Sequence, residues 1–248
     1  MRSSALAAAL LAAVLVQVPS VSHAQVSGGQ TDTFHAGIDN WFFGGGPAGP
    51  SATAPSRVLT GGPQGAGDAF MHLVSLGGTG PLSRLSVSNS TQWAGDYRAA
   101  GITHIGMWVN NFGTTDLSLR LAFETLGPLG PTNIAFSSDA ILLNAGGGWQ
   151  HILFPVLGAS LMNSPIAGSS VEGAMTNTSL IRLYHSTTDN FPNPFGPIPA
   201  IVAQLGVDDI NAVVVPEPSS FLLLASGVFG LAFRNRRRAR DWRADHGE

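Results

Sequence analysis

The clearest pattern in the chain lies at 117–124, where Leu117, Leu119, Leu121 and Phe123 alternate with Ser118, Arg120, Ala122 and Glu124. A period of two puts these sets on opposite faces of a strand, so the pattern predicts one buried face and one wet face. Arg120 and Glu124 then share the wet face about 13 Å apart, too far for a direct pair, and each needs another neighbour or water. Further strand-like runs, bounded by Gly, Pro, Asn or Asp, fall at 70–76, 82–88, 102–110, 141–143, 149–156, 180–186 and 207–215. In 102–110, Trp108 shares a face with Ile102 and His104 while Ile105, Met107 and Val109 take the other; the pattern leaves open which is core. Residues 25–63 are rich in Gly, Pro, Ser and Thr with two short apolar islands, which reads as turns and short strands. Within them 44–55 reads as a surface loop, a flexible linker being the alternative for the whole stretch. No interior stretch keeps a 3.6-residue period, although 160–175 has room for one helical turn. Without a repeat of 20 to 50 residues, a solenoid or propeller is disfavoured. Eight or more short strands with glycine-rich connections predict an all-β fold, a single jelly-roll β-sandwich.

The two ends follow other rules. Residues 1–24 carry an early arginine, an apolar run at 5–18, Pro19, and small residues at Ser22 and Ala24, the layout of a secretory signal peptide cut before Gln25. At the other end, Pro216, Glu217 and Pro218 stop the preceding strand, because proline donates no backbone hydrogen bond and pushes the residue before it toward extended geometry. The apolar run 221–233 follows, about 20 Å long as a helix against about 30 Å of hydrocarbon. Arg234, Arg236, Arg237, Arg238 and Arg240 stand directly behind it. Such a cluster is retained on the cytoplasmic side of a membrane, and its long stems extend the reach of a short helix. The division is therefore 1–24 signal, 25–215 folded domain, 216–240 membrane-directed signal, and 241–248 cytoplasmic end.

Composition narrows what the domain can be. The chain has no cysteine, which removes disulfides, thiolate metal sites and cysteine nucleophiles. Its net charge of −3 hides an asymmetry: between 25 and 215 five arginines face eleven carboxylates, with no lysine. An acidic domain repels phosphate backbones, so nucleic acid is not an expected partner. No zinc helix, nucleophile elbow, phosphate loop or dinucleotide fingerprint occurs, and the histidines are scattered. A glycosidase needs two carboxylates about 5 to 9 Å apart, and Glu124 and Glu172 are the domain's only glutamates. The expectation is no catalytic residue, with extracellular glycoside hydrolysis as an alternative. Binding is easier to build, since a sugar's apolar face stacks on an aromatic ring while its hydroxyls meet polar side chains. Trp93, Tyr97, Trp108, Trp149 and Tyr184 are the candidate rings, with Asn110 and Arg120 as polar partners; core packing is the competing role for each tryptophan.

The triplet Pro216-Glu217-Pro218, the short apolar run and the arginine cluster, in that order, resemble the PEP-CTERM sorting signal of exported proteins in exopolysaccharide-producing Gram-negative bacteria. The resemblance implies export to the cell envelope, surface or extracellular matrix. It also implies an exosortase-type membrane enzyme as processing partner, with cleavage near the triplet. Between residues 32 and 214, Gln92-Trp93-Ala94-Gly95-Asp96-Tyr97, Asn110-Asn111-Phe112-Gly113, Gly148-Trp149-Gln150-His151 and Gly206-Val207-Asp208-Asp209 look like secreted sandwich domains of the carbohydrate-binding-module, galactose-binding-like type. That likeness implies extracellular polysaccharide as ligand. It also implies a candidate structural Ca²⁺ where the first and last strands meet, with Asp32, Asp39, Asp208 and Asp209 as oxygen donors. In a strand only one of Asp208 and Asp209 faces a given side. The expected function is a non-enzymatic, surface-sorted protein that binds or organises polysaccharide, a purely structural or adhesive envelope protein being the alternative.

Overall fold

In the computed structural model, residues 25–43, 55–79, 82–188 and 198–215 are described. The signal at 1–24 and the segment 216–248, with Pro216, Glu217, Pro218 and the arginine cluster, lie outside them. Among the described residues no helix is long and apolar enough to cross a membrane.

Among the described residues thirteen strands build two antiparallel sheets: β1 Thr31–Asp32, β2 Phe42–Phe43, β3 Ser56–Val58, β4 Phe70–Leu76, β5 Ser86–Asn89, β6 His104–Asn111, β7 Leu117–Gly127, β8 Gly130–Ser137, β9 Ile141–Leu143, β10 Gln150–Pro155, β11 Leu161–Asn163, β12 Leu180–His185 and β13 Val202–Val213. One sheet, called A, has the order β10-β6-β13-β4-β3 with β1 added to β13. The other, called B, runs β11-β8-β7-β12-β5-β2 with β9 added to β7. The fold is the expected all-β sandwich.

The alternation in β6 is resolved by the partner sheet. Ile105, Met107 and Val109 are fully buried and meet Leu119, Leu121 and Phe123 of β7 and Ile181 and Leu183 of β12 in one apolar core. Trp108 therefore faces outward. On β7 the even-numbered face is not wet as expected, because a second apolar layer of Ala122, Ile134, Phe136 and Tyr184 is covered by Ile166 and Ile198. Beneath this cover Glu124 receives the guanidinium of Arg182 at 2.7 Å, and Arg120 donates to the carbonyls of Ser137, Ser138 and Ser186. Burial is tolerable for these charges because each has found partners.

Several elements differ from the sequence pattern. β8 is an additional strand. The closing strand begins five residues early, at Val202, and stops at Val213. The room for a helical turn is used by the six-residue helix α1, Val171–Thr176, whose N-cap Ser170 accepts a hydrogen bond from Gly173 N–H. β13 carries a bulge between Asp208 and Asn211, with Asp209 at φ +48°. There β13 exchanges one neighbour for another, pairing with β4 up to Val207 and with β1 at Ile210 and Asn211. Gly29 N–H donates to Ala212 O and Thr103 N–H to Val213 O. Gly28 lies against Val214, so both terminal segments of the described domain meet at one end of the sandwich.

Candidate functional site

The outer face of sheet A is where alternation places side chains that the core does not use. Antiparallel register sets Trp108 of β6 between His151 of β10 and Asp208 of β13, and Asn110 opposite Gly206. On the far side of β13, His72 of β4 lies opposite Gly206. Trp108 is half-buried, and its ring meets that of His151 at 5.3 Å with an edge-on tilt of 61°.

About 7 Å further along the strands, four more rings converge. Phe70 lies 5.1 Å from Trp149 and 5.6 Å from Phe112. Trp149 and Phe112 stand 5.9 Å apart, and His72 is 5.9 Å from Phe112. They close over Gly206, whose missing side chain is what lets them: a methyl group there would lie 2.7 Å from Phe112 Cε2 and 2.9 Å from Trp149 Cη2. Trp149 is half-buried, and Phe112 keeps 44 % of its surface exposed. With Trp108 they make an aromatic strip on the sheet, edged by the exposed amide of Gln204, whereas Gln150 pairs with core-facing Val109 and belongs to the inner face.

A glycine loop holds one end of the strip. Trp149 Nε1 donates to Gly61 O at 2.9 Å. That loop folds on itself through Gly61 N–H to Gly65 O and Gly62 N–H to Asp68 O, with Gly61, Gly65 and Gly67 at positive φ. Gln64 then ties it to β13, its side-chain amide donating to Asp209 and its backbone N–H to Asp68. Beside it lies a shallow depression of about 340 Å³ lined by His35, Gln64, Ala66, Gly67, Asp68 and Asp209. Behind its rim Asp208 is fully buried; its Oδ1 accepts Asp209 N–H, while Oδ2 has no partner. Burial, with the opposing help of Asp209 N–H and the added repulsion of Asp209 and Asp68, raises the Asp208 pKa to about 7.

The other expected ligand residues go elsewhere. Trp93 and Tyr97 are fully buried at one end of the core. Trp93 Nε1, Trp41 Nε1 and Gln92 Nε2 all donate to Asp32 Oδ2, at 2.6, 2.8 and 3.0 Å, and Tyr97 donates its hydroxyl proton to Trp93 O. Tyr184 lies in the covered layer outside sheet B, and burial raises its phenol pKa well above the ordinary range. Arg120 serves three carbonyls there. These four side chains are enclosed by protein, which corrects their expected role as sugar contacts. Asn110 is on the outer face of sheet A but largely buried.

The four aspartates are likewise not brought to one point. Asp32 sits inside the sandwich among its three donors, and burial raises its pKa despite them. Asp39 receives Phe34 N–H, whereas Asp208 and Asp209 belong to the outer face and the loop. Among the described residues no group of three or more His, Asp or Glu side chains is arranged to hold a metal ion. The candidate catalytic glutamates are also spoken for: Glu124 by Arg182, and Glu172, on α1, by Arg98 at 3.3 Å.

Trp108 and Trp149 were legible candidates, while Phe70, His72, Phe112 and His151 were missed. The available signal was Gly206, a glycine inside a strand, which marks a close approach.

The fold and this face define a two-sheet β-sandwich with a partly exposed aromatic strip on one outer face. Residues 214–238 match the PEP-CTERM protein-sorting motif, which marks the chain as an exported, envelope-associated bacterial protein. No curated protein sequence matches the chain. Among solved structures it is similar to the family 11 carbohydrate-binding module from Clostridium thermocellum in complex with a β-1,3-1,4-mixed-linked tetrasaccharide, at 14 % identity over 78 % of this chain and 99 % of that one, TM-score 0.49. It is also similar to a family 28 module specific for non-crystalline cellulose, at 9 % identity over 79 % of this chain and 99 % of that one, TM-score 0.39. Identities of this size leave the ligand to be argued from this chain's own residues.

Proposed function

We propose that the domain is a non-enzymatic module that binds extracellular polysaccharide on the outer face of sheet A. The observation that supports this reading best is the strip of Trp108, Trp149 and Phe112, backed by buried Phe70, which leaves partly exposed rings on the outside of the sheet instead of in the core. Sugar rings present apolar C–H faces that stack on such side chains, and a hydroxyl edge is met by the flanking amide of Gln204. A sorting motif brings the module to where such polymers are displayed. In this reading residues 1–24 direct export in a Gram-negative cell, and an exosortase-type membrane enzyme processes the chain near Pro216. The released protein then keeps β13 whole. An intact mass placing its mature C-terminus before Val213 would count against that step.

The full chain, purified in detergent, is tested for retention on a panel of soluble and insoluble polysaccharides, with W108A and W149A beside it. The expected outcome is retention on at least one polymer, reduced at least about tenfold, roughly 1.4 kcal/mol, by each substitution while the melting temperature stays within a few degrees. Retention indifferent to both substitutions would remove the aromatic strip from the mechanism. If neither variant nor parent is retained on any polymer, the structural or adhesive reading takes its place.

A further inference from the structure

We infer that the polysaccharide taken by this face is uncharged, an inference that rests on the binding reading above. The domain has few cations, and all of them are occupied. Between residues 25 and 215 the sequence holds five arginines and no lysine. Arg57 donates through Nε to Phe34 O at 2.6 Å and through Nη2 to His35 O. Arg84 donates to Ile198 O, and Arg98 to Val156 O and Glu172. Arg120 spans the carbonyls of Ser137, Ser138 and Ser186, and Arg182 neutralises buried Glu124. None of the five stands on the outer face of sheet A.

Recruiting any of them to a ligand would undo the fold locally. Moving Arg120 strands three carbonyls, and moving Arg182 leaves a buried carboxylate without its counter-charge. The segments outside the described part of the domain, 44–54, 80–81 and 189–197, contain no arginine or lysine and add one more acid, Asp189. Only imidazoles remain near the strip. His72 is held toward its neutral form by burial, while His104 shares a hydrogen bond with Thr103 Oγ1 and His151 packs against Trp108.

The carboxylates that border the strip carry the opposite sign. Asp68 and Asp209 line the depression beside the Trp149 loop together with the imidazole of His35, 3.8 Å from Asp68, and Asp208 lies behind them. Carboxylate, sulfate or phosphate groups on a polymer are ordinarily met by guanidinium forks or ammonium groups; here they would meet carboxylates. A chain whose polar atoms are hydroxyls needs no counter-charge, because each hydroxyl both donates and accepts, and the exposed amide of Gln204 does the same.

The experiment compares matched polymers that share a backbone and differ in charge: hydroxyethylcellulose against carboxymethylcellulose, and fully methyl-esterified homogalacturonan against polygalacturonate. Retention of the full chain is measured at about pH 8, where imidazoles are neutral, in low salt and in about 0.5 M salt. The expected result is binding to at least one uncharged member, at least about tenfold weaker binding to its carboxylated counterpart in low salt, and less than about twofold change of the former with salt. A carboxylated polymer that binds as well or better, or an affinity for an uncharged polymer that falls about tenfold with salt, overturns the inference; if W108A and W149A abolish that binding, the binding reading itself survives. Binding to any polymer that both variants retain overturns the reading as well, and so does retention on none of the four.

Discussion

Gly206 is the position where one atom separates an intact aromatic strip from a disrupted one. In Gly206→Ala the added methyl group lies 2.7 Å from Phe112 Cε2, 2.9 Å from Trp149 Cη2 and 3.2 Å from Phe70 Cε2. Carbon atoms rest about 3.5 to 4.0 Å apart, so each ring must retreat by several tenths of an ångström to about an ångström. Phe70 is backed by the sheet and 5 % exposed, so Phe112, 44 % exposed, has the freedom to swing outward. Overpacking a closed core costs about 1 to 3 kcal/mol, and a cluster open on one side sits near the low end. Against this, alanine restricts the unfolded chain and recovers about 0.5 to 1 kcal/mol, with no backbone strain, since Gly206 is not in the left-handed region. The net change in stability is therefore within about 1 kcal/mol, a shift of only a few degrees in melting temperature. Affinity for polysaccharide should nevertheless fall about threefold to tenfold, because stacking depends on the plane the rings present. Titration calorimetry with the polymer that retains the parent, beside a thermal melt, reads both quantities. Unchanged affinity would refute the strip as the contact surface, and a melting temperature lowered by more than about 10 °C would place Gly206 in a closed core instead.

Four further substitutions probe the frame around the site. The folded pKa of Asp208 is about 7 against an ordinary 3.8; its carboxyl therefore prefers its proton in the folded state, and stability falls as pH rises from about 4 to about 7, by up to about 4 kcal/mol. His72 and His185, whose pKa values burial lowers below 6.5, act with the opposite sign. Their contribution is lost as pH falls through 6.5 toward their folded values. Denaturation midpoints of the parent and Asp208→Asn should run together below about pH 4, diverge between about 4 and 7 and stay apart above that, the variant being more stable; parallel curves would refute the assignment. Asp32→Ala strips the shared acceptor from Trp41, Trp93 and Gln92 and should cost about 3 kcal/mol or more in urea unfolding, at about 1 to 3 kcal/mol per orphaned donor. A loss below about 1 kcal/mol would mean that water replaces it. Glu124→Leu leaves Arg182 buried without its carboxylate and should cost about 3 to 5 kcal/mol, whereas Glu124→Leu with Arg182→Met should recover most of it. Additive losses in that cycle would contradict a coupled pair.

The sandwich was readable because strand alternation is a local property. β7 announces its core face in Leu117, Leu119, Leu121 and Phe123, and that face is buried throughout. The opposite face misled for a reason outside any local window. Arg120 and Glu124 read as solvent-facing, but Arg182 arrives from 58 residues away, and Ile166 and Ile198 close over the layer from still other segments. β8 escaped notice because Ile134 and Phe136 point into that second layer while Ala135 is its contribution to the main core. The site divides the same way. Trp108 was placed by the parity of β6 once the core side was known, whereas Trp93 and Tyr97 have equally suggestive neighbours in sequence and are drawn inward by Asp32 and Phe123, contacts across 61 and 26 residues. Gly206 was read as the edge of a strand, although it lies within β13 beneath the rings.

The route by which β13 leaves the sandwich sets how load would pass through the domain while its tail is still held. Gly206, under the aromatic strip, precedes Val213 by seven residues, about 23 Å along the strand, and the sorting motif begins at the next residue. A polymer held over Gly206 and a tail held at the envelope would pull on opposite ends of the same strand. β13 is hydrogen-bonded to β6 on one side and to β4 and β1 on the other, and those bonds run across the strand. Tension along β13 thus loads both rows in shear, so they must fail together instead of opening one bond at a time. In the proposed reading, the strand that floors the polysaccharide face is also the one that would bear the pull of the tail before it is processed.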